Sequence, residues 1–181
     1  MKKITLLTCL LSISAFSSTT WADDKSAFYN SAQQAISKSG LTATSALELI
    51  QQDYRATPYE YELDSDDHRL YHEIKLVNGE TKEKIEVKVD IETGQQQVRR
   101  STLSKKDEGK QKIAAILHNE VGLIDAIQIA NLNETALLLE AEFEIKDGFT
   151  YYEIEIYDGT QERELLVNPD TKTVIPTFEK K

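Results

Sequence analysis

The chain has little of what covalent or phosphate chemistry needs. One cysteine occurs in 181 residues, and that residue, Cys9, lies in an apolar run near the start. Seven glycines and three prolines are scattered along the sequence, and no Gly-rich phosphate loop or Gly-x-Ser-x-Gly nucleophile elbow can be read. Positive charge is scarce as well: 21 Lys and Arg face 31 Asp and Glu, a formal net charge of −10. Nucleic acid and anionic lipid are therefore poor partners, and a basic protein surface or a cation is electrostatically easier.

The first 22 residues read as an export signal. Lys2 and Lys3 precede an apolar run from Ile4 through Phe16, and Thr20 and Ala22 are the small residues that flank a cleavage point after Ala22. The run is too short to span a membrane as an anchor. Cys9 sits mid-run behind Thr8, with apolar residues beyond it, which fits a plain export signal better than a lipoprotein cleavage point. Cleavage removes Lys2, Lys3 and no acid, leaving 159 residues without cysteine, in which 19 bases face 31 acids, a formal −12. Cys-based catalysis, Cys-ligated zinc and disulfides are thereby excluded from the expected periplasmic form.

What is present is a repeat. A shift of 80 residues lays "SALELI" (45–50) on "DAIQIA" (125–130), "PYEYEL" (58–63) on "LLEAEF" (138–143) and "YHEIKLVNG" (71–79) on "YYEIEIYDG" (151–159). Past these turns the shift falls to 78, laying "VKVDIETGQQQV" (87–98) on "LLVNPDTKTVI" (165–175); upstream it is 82, where Gly40 meets Gly122. Length changes that fall in turns are expected of two diverged copies of one folding unit.

Residues 24–38 place Phe28, Ala32, Ala35 and Ile36 on one helical face, and Ile113, Ile116 and Leu117 do the same ahead of Gly122. Shorter helices are expected over 44–53, with Ser45 and Glu48 as a capping box, and over 124–131. The rest switches to a period of two, with Ile74 and Leu76, Ile85 to Ile91, Ala141 to Ile145 and Tyr152 to Ile156 on the apolar parity. The expectation is an α+β protein of two tandem α-α-β-β-β-β units, 23–100 and 111–181, joined by a basic connector over 101–110. Each unit should hold an antiparallel four-stranded sheet with helices on one face. In the hairpin phrase, Asp90 and Thr93 can accept from the turn backbone and Gly94 supplies a positive φ; Asn168 and Lys172 take those places in the second copy, the lysine at a strain of about 1 kcal/mol.

The "Y-E-I" strand and the "V-D-x-x-T-G" turn resemble the PepSY domain, known from the propeptides of thermolysin-type metalloproteases and from exported bacterial proteins. The resemblance covers nearly all of the chain after residue 22, as two copies. It implies a binding role, often regulation or inhibition of a peptidase, with no shared catalytic residues and no cofactor. The layout is also similar to that of beta-lactamase inhibitory protein, which clasps an enzyme with the exposed faces of two sheets, a likeness of architecture alone.

Candidate chemistry is sparse. His68 and His72 share a strand parity but lie four residues, about 13 Å, apart, too far to share a metal without a bend. The acidic turn Asp64, Asp66, Asp67 lacks the glycine and terminal glutamate of a calcium loop, with Lys75 at that last position. No catalytic residue and no metal ligand is assigned. The parity away from the helices carries Glu60, Glu62, Tyr71, Glu73, Lys75, Glu86 and Lys88 in the first copy, and Glu140, Glu142, Tyr151, Glu153, Glu155 and Tyr157 in the second. Tyrosines among carboxylates suit recognition of a basic protein surface, whereas the plainer account is the wet side of a half-buried sheet. Tyr71, Glu73, Tyr151, Glu153, Tyr157, Glu60 and Glu140 are the candidate contacts to a peptidase or other envelope enzyme. The alternative is a small-ligand or divalent-cation protein using the acidic turn and His68.

Overall fold

A computed structural model describes residues 20–103, 110–133 and 135–175. Helices α1 (Thr20–Ser39) and α2 (Ala43–Tyr54) precede strands β1 (Thr57–Asp66), β2 (Arg69–Asn78), β3 (Glu83–Asp90) and β4 (Gln96–Thr102). Helices α3 (Lys110–His118) and α4 (Leu123–Ile129) precede β5 (Leu137–Lys146), β6 (Phe149–Tyr157), β7 (Glu162–Asn168) and β8 (Thr173–Ile175). The expected export signal falls almost wholly outside the described residues; α1 begins at Thr20, just before the expected cleavage point.

Local chemistry sets the element ends. Thr42, not Ser45, caps α2: its hydroxyl accepts from the Ser45 N–H at 3.2 Å, and the helix begins one residue earlier than expected. Gly122 caps α4, its N–H donating to Asp125 Oδ2 at 2.9 Å. Gly40, at φ 73°, instead ends α1, so the two glycines matched in sequence do different jobs. Each hairpin between the last two strands is closed by one side chain. Asp90 Oδ1 accepts from the N–H groups of Glu92 and Thr93 and from the Thr93 hydroxyl, and Asn168 Oδ1 accepts from the N–H groups of Asp170 and Thr171. Lys172 stands at φ 55°, the left-handed position that Gly94 fills at φ 70°.

The two expected sheets are one. The strand order is β4-β3-β2-β1-β5-β6-β7-β8, all neighbours antiparallel, and the halves join where β1 pairs with β5: Glu60 opposite Glu142, Tyr61 opposite Ala141, Glu62 opposite Glu140. Joining removes two exposed edges, the physical reason that four-stranded units do not stand apart. Matching bulges interrupt β1 between Pro58 and Glu60 and β5 between Leu138 and Glu140, and a bulge is where a strand tolerates proline.

The inner face, with Leu63, Ile74, Leu76, Val87, Phe143, Tyr152, Ile154 and Val167, packs beneath Ala46, Leu47 and Ile50 of α2 and Leu123, Ala126 and Ile127 of α4 in one continuous core. Full burial of a leucine or isoleucine such as Leu47 or Ile50 contributes about 1.5–3 kcal/mol. Helices α1 and α3 add Ala32, Ala35, Ile113 and Ile116 to the same core and also reach side chains of the outer parity or of the loops. Tyr29 of α1 stacks on Tyr157 at 4.4 Å between ring centroids, Gln33 donates to the Thr135 carbonyl at 3.2 Å, and Lys112 of α3 pairs with Glu142 and Glu144. Leu117 of α3 packs close over Gly79 of the first half. Each first helix thus braces the opposite half.

Candidate functional site

The outer face is built from side chains of alternate parity whose rows the register fixes. One row runs Glu73, Glu62, Glu140, Glu155, Glu164 over β2, β1, β5, β6 and β7, five carboxylates on five adjacent strands. The next row runs Arg99, Glu86, Lys75, Glu60, Glu142, Glu153 from β4 to β6. Directly opposed like charges destabilise a sheet, and here they concentrate at the seam.

Cations neutralise one side of this face. Lys75 pairs with Glu60; Lys88 lies between Asp64 at 2.6 Å and Glu73 at 2.8 Å; Arg99 reaches Glu86 at 3.3 Å. Lys112 comes from α3 to Glu142 and, at 3.0 Å, to Glu144. Beyond it, Glu140, Glu142, Glu144, Tyr151, Glu153 and Glu155 surround a depression of about 200 Å³. The carboxyl groups respond as the geometry demands. Burial, then repulsion from Asp64 and Glu73, raises the pKa of Glu62; burial, then Glu155, Glu142 and the seam neighbours, raises that of Glu140; burial, then Glu164 and Glu155, raises that of Glu153.

The structure separates the candidate tyrosines. Tyr71 is 6 % exposed and stands in register between Asp64 and Asp90. Tyr157 lies under the Tyr29 ring, and Tyr29 also bonds Glu162, which pairs with Lys25 at 2.7 Å. Tyr151 is half-buried and lines the acidic depression, where burial and the carboxylates of Glu153 and Glu144 raise its pKa. Of the candidate glutamates, Glu60 and Glu140 meet across the seam with Glu142 and Glu62, while Glu73 and Glu153 flank them. Glu144, Glu164 and Lys112 escaped the sequence reading. Glu164 follows the period of two on β7 and was legible there, whereas Lys112 arrives from a helix and no strand pattern could announce it.

The histidines and the acidic turn have other roles. Asp67 and His68, at φ 47° and 64°, form the two-residue turn between β1 and β2, where Asp147 and Gly148 stand in the second half. His72 is fully buried: Nδ1 accepts from the Tyr61 hydroxyl at 2.9 Å, and Nε2 donates to the Leu41 carbonyl at 2.9 Å. Burial lowers its pKa, the hydrogen bond to Leu41 only partly opposing, which leaves the ring neutral. Among the described residues no group of three His, Cys, Asp or Glu is arranged to hold a metal ion, and no helix is long and apolar enough to cross a membrane.

No curated protein matches the chain. A crystal structure of a candidate lipoprotein from Clostridium difficile 630 superposes with a TM-score of 0.45 at 18 % identity, covering 75 % of this chain and 91 % of that one. The family model described as "Peptidase propeptide and YPEB domain", PepSY, matches residues 40–97 and 124–175. Those segments run from α2 to the start of β4 and from α4 through β8, leaving out the bracing helices α1 and α3. With more than half of its residues in two such matches, one in each half of the sheet, the chain belongs to the PepSY family as a tandem pair.

Proposed function

We propose that the chain is an exported, non-catalytic PepSY module that holds a basic surface of a protein partner, a peptidase or another envelope enzyme, against its outer sheet face. The observation that carries this reading is the row Glu73, Glu62, Glu140, Glu155, Glu164 in register across five strands. A sheet evolved only for stability would alternate signs there, as the neighbouring row does over β4 to β1 with Arg99, Glu86, Lys75 and Glu60, because like charges directly opposed cost about 0.2–1 kcal/mol each. Carboxylates that repel one another in the free protein gain when a cationic surface covers them, and the same field speeds encounter with a basic partner. Tyr151, Glu153, Glu140 and Glu60 are the contacts proposed to lie at the centre, with Glu73 at the flank. Tyr71 and Tyr157 support the face from beneath and from its margin.

The test is capture from the periplasmic extract of the source bacterium on the immobilised chain at low salt, with elution by salt. A stoichiometric hydrolase that is retained, loses activity when the chain is added back, and binds Glu62→Gln/Glu140→Gln more weakly supports the reading. Retention that salt and this double substitution leave unchanged would overturn it.

A further inference from the structure

A second concavity lies on the opposite face of the sheet, over the seam. Its volume is about 420 Å³, it is open to solvent on one side, and its walls are Ile36 of α1, Ala43 of α2, Tyr61 of β1, Ile127 of α4, Leu132 and Leu138. Thr42, Thr44, Gln128 and Asn131 also line it, and none of its lining side chains is charged. Both halves contribute, so neither repeat would have the cavity alone.

The cavity is a local asymmetry in an otherwise symmetric core. Thr42 and Gly122 are the caps of α2 and α4, so Ala43 corresponds to Leu123 and Thr44 to Ile124. In the second half Leu123 is fully buried and Ile124 packs against the core. In the first half the smaller pair leaves the space open. Interiors pack closely, and open apolar volume costs stability that a larger side chain restores. The repeat itself supplies that larger pair, and the first half does not use it.

We propose that this cavity is a binding site for a small amphiphile with an aliphatic or aromatic body and a neutral or cationic head. The volume is within the range of small-molecule sites, about 300–1,000 Å³, and nearly three times that of an engineered apolar cavity of about 150 Å³ that takes up benzene. Ile36, Leu132 and Leu138 receive the apolar body. Thr44, Gln128 and Asn131 offer uncharged hydrogen-bonding groups to the head. An anionic head finds no basic side chain in the lining and meets a chain of strongly negative charge.

The test uses the purified chain and 1-aminoanthracene, a neutral fluorophore, displaced by decan-1-ol, decylamine or decanoate below their micelle concentrations. Saturable binding of one fluorophore per chain is expected, with decanoate weaker than the alcohol and amine by about tenfold or more. Ala43→Leu/Thr44→Ile, which installs the second half's residues, should weaken fluorophore binding by about tenfold or more while the melt stays cooperative. Should the double variant fail to fold, Thr44→Ile alone should give a smaller loss in the same direction. Glu62→Gln/Glu140→Gln, on the other face, should leave fluorophore binding unchanged, which separates this site from the partner-binding reading. Absence of saturable binding, decanoate as effective as decan-1-ol, or full affinity in the cavity-filled variants would overturn the proposal.

Discussion

In the first half of the sheet Arg99, Glu86, Lys75 and Glu60 alternate in sign across four strands, and Lys88 sits between Asp64 and Glu73. In the second half the positions of Lys75 and Lys88 are taken by Glu155 and Leu166, and the cation that approaches the carboxylates of β5 is Lys112, from outside the sheet. The backbone register is the same in both halves, so the fold does not require the acidic pattern. The comparison therefore divides the outer face into a charge-balanced half and a half, with the seam, in which carboxylates oppose one another. The inner face shows no such division: His72 and Tyr152 do the same job with different chemistry, each tying the sheet to the loop ahead of the second helix, His72 through the Leu41 carbonyl at 2.9 Å and Tyr152 through the Val121 carbonyl at 2.6 Å.

The largest effect should come from the seam. Tyr61 is fully buried opposite Ala141 and bonded to His72; Tyr61→Ala should cost about 3–5 kcal/mol, read as a large fall in melting temperature. A single cooperative melt in the wild type and a split or strongly lowered one in the variant would show that the halves depend on this contact.

Next come the two ties. His72→Phe and Tyr152→Phe should each cost about 1–3 kcal/mol by leaving a buried carbonyl unpaired, but they should differ in pH dependence. The pKa of His72 in the fold lies below its ordinary 6.5, so the unfolded chain takes up the proton first. The contribution of His72 is complete above that value and is lost as pH falls beneath it. Urea melts at several pH values should show this slope in Tyr152→Phe and lack it in His72→Phe; equal slopes would break the comparison.

A smaller gain is expected from the turns. His68 and Lys172 hold left-handed backbones at φ 64° and 55°, where the other half has Gly148 and Gly94. His68→Gly and Lys172→Gly should each stabilise by about 1 kcal/mol, or about 2–4 °C in melting temperature for a domain of this size. The reciprocal Gly148→His should destabilise.

The smallest effect sharpens the charge comparison. Glu62→Gln/Glu140→Gln removes a like-charged pair at the seam and should raise stability at neutral pH by about 0.2–1 kcal/mol. Both carboxyl groups titrate above their ordinary value in the fold, so the penalty is present above the folded pKa and vanishes below the ordinary one. The advantage over wild type should therefore fade as calorimetry moves to acid pH. Glu86→Gln, which removes the partner of Arg99, should not stabilise.

Most elements were legible because their causes are local. A period of two in "YHEIKL" and "YYEIEI" assigns inner and outer residues without knowledge of neighbours, and the Asp90 and Asn168 turns carry their own acceptors. The individual outer glutamates were legible for the same reason. Tyr71 shared their parity and yet is buried, because burial depends on what else packs at that end of the face. The seam was not legible. Pairing of β1 with β5 sets Glu60 against Glu142 and Glu62 against Glu140, a juxtaposition that charge argues against and that only the shared core and the saved edges outweigh.

The sequence by itself therefore determined the two-fold repeat, the strands, their faces and the turns between them, since each rests on alternation, capping and backbone preference within a few residues. Tertiary structure decided that two units form one sheet, that α1 and α3 brace the opposite halves, that five glutamates fall in one row, and that Ala43 and Thr44 leave a cavity. Those features arise between residues far apart in the chain, where packing and edge pairing, and not local preference, set the free energy.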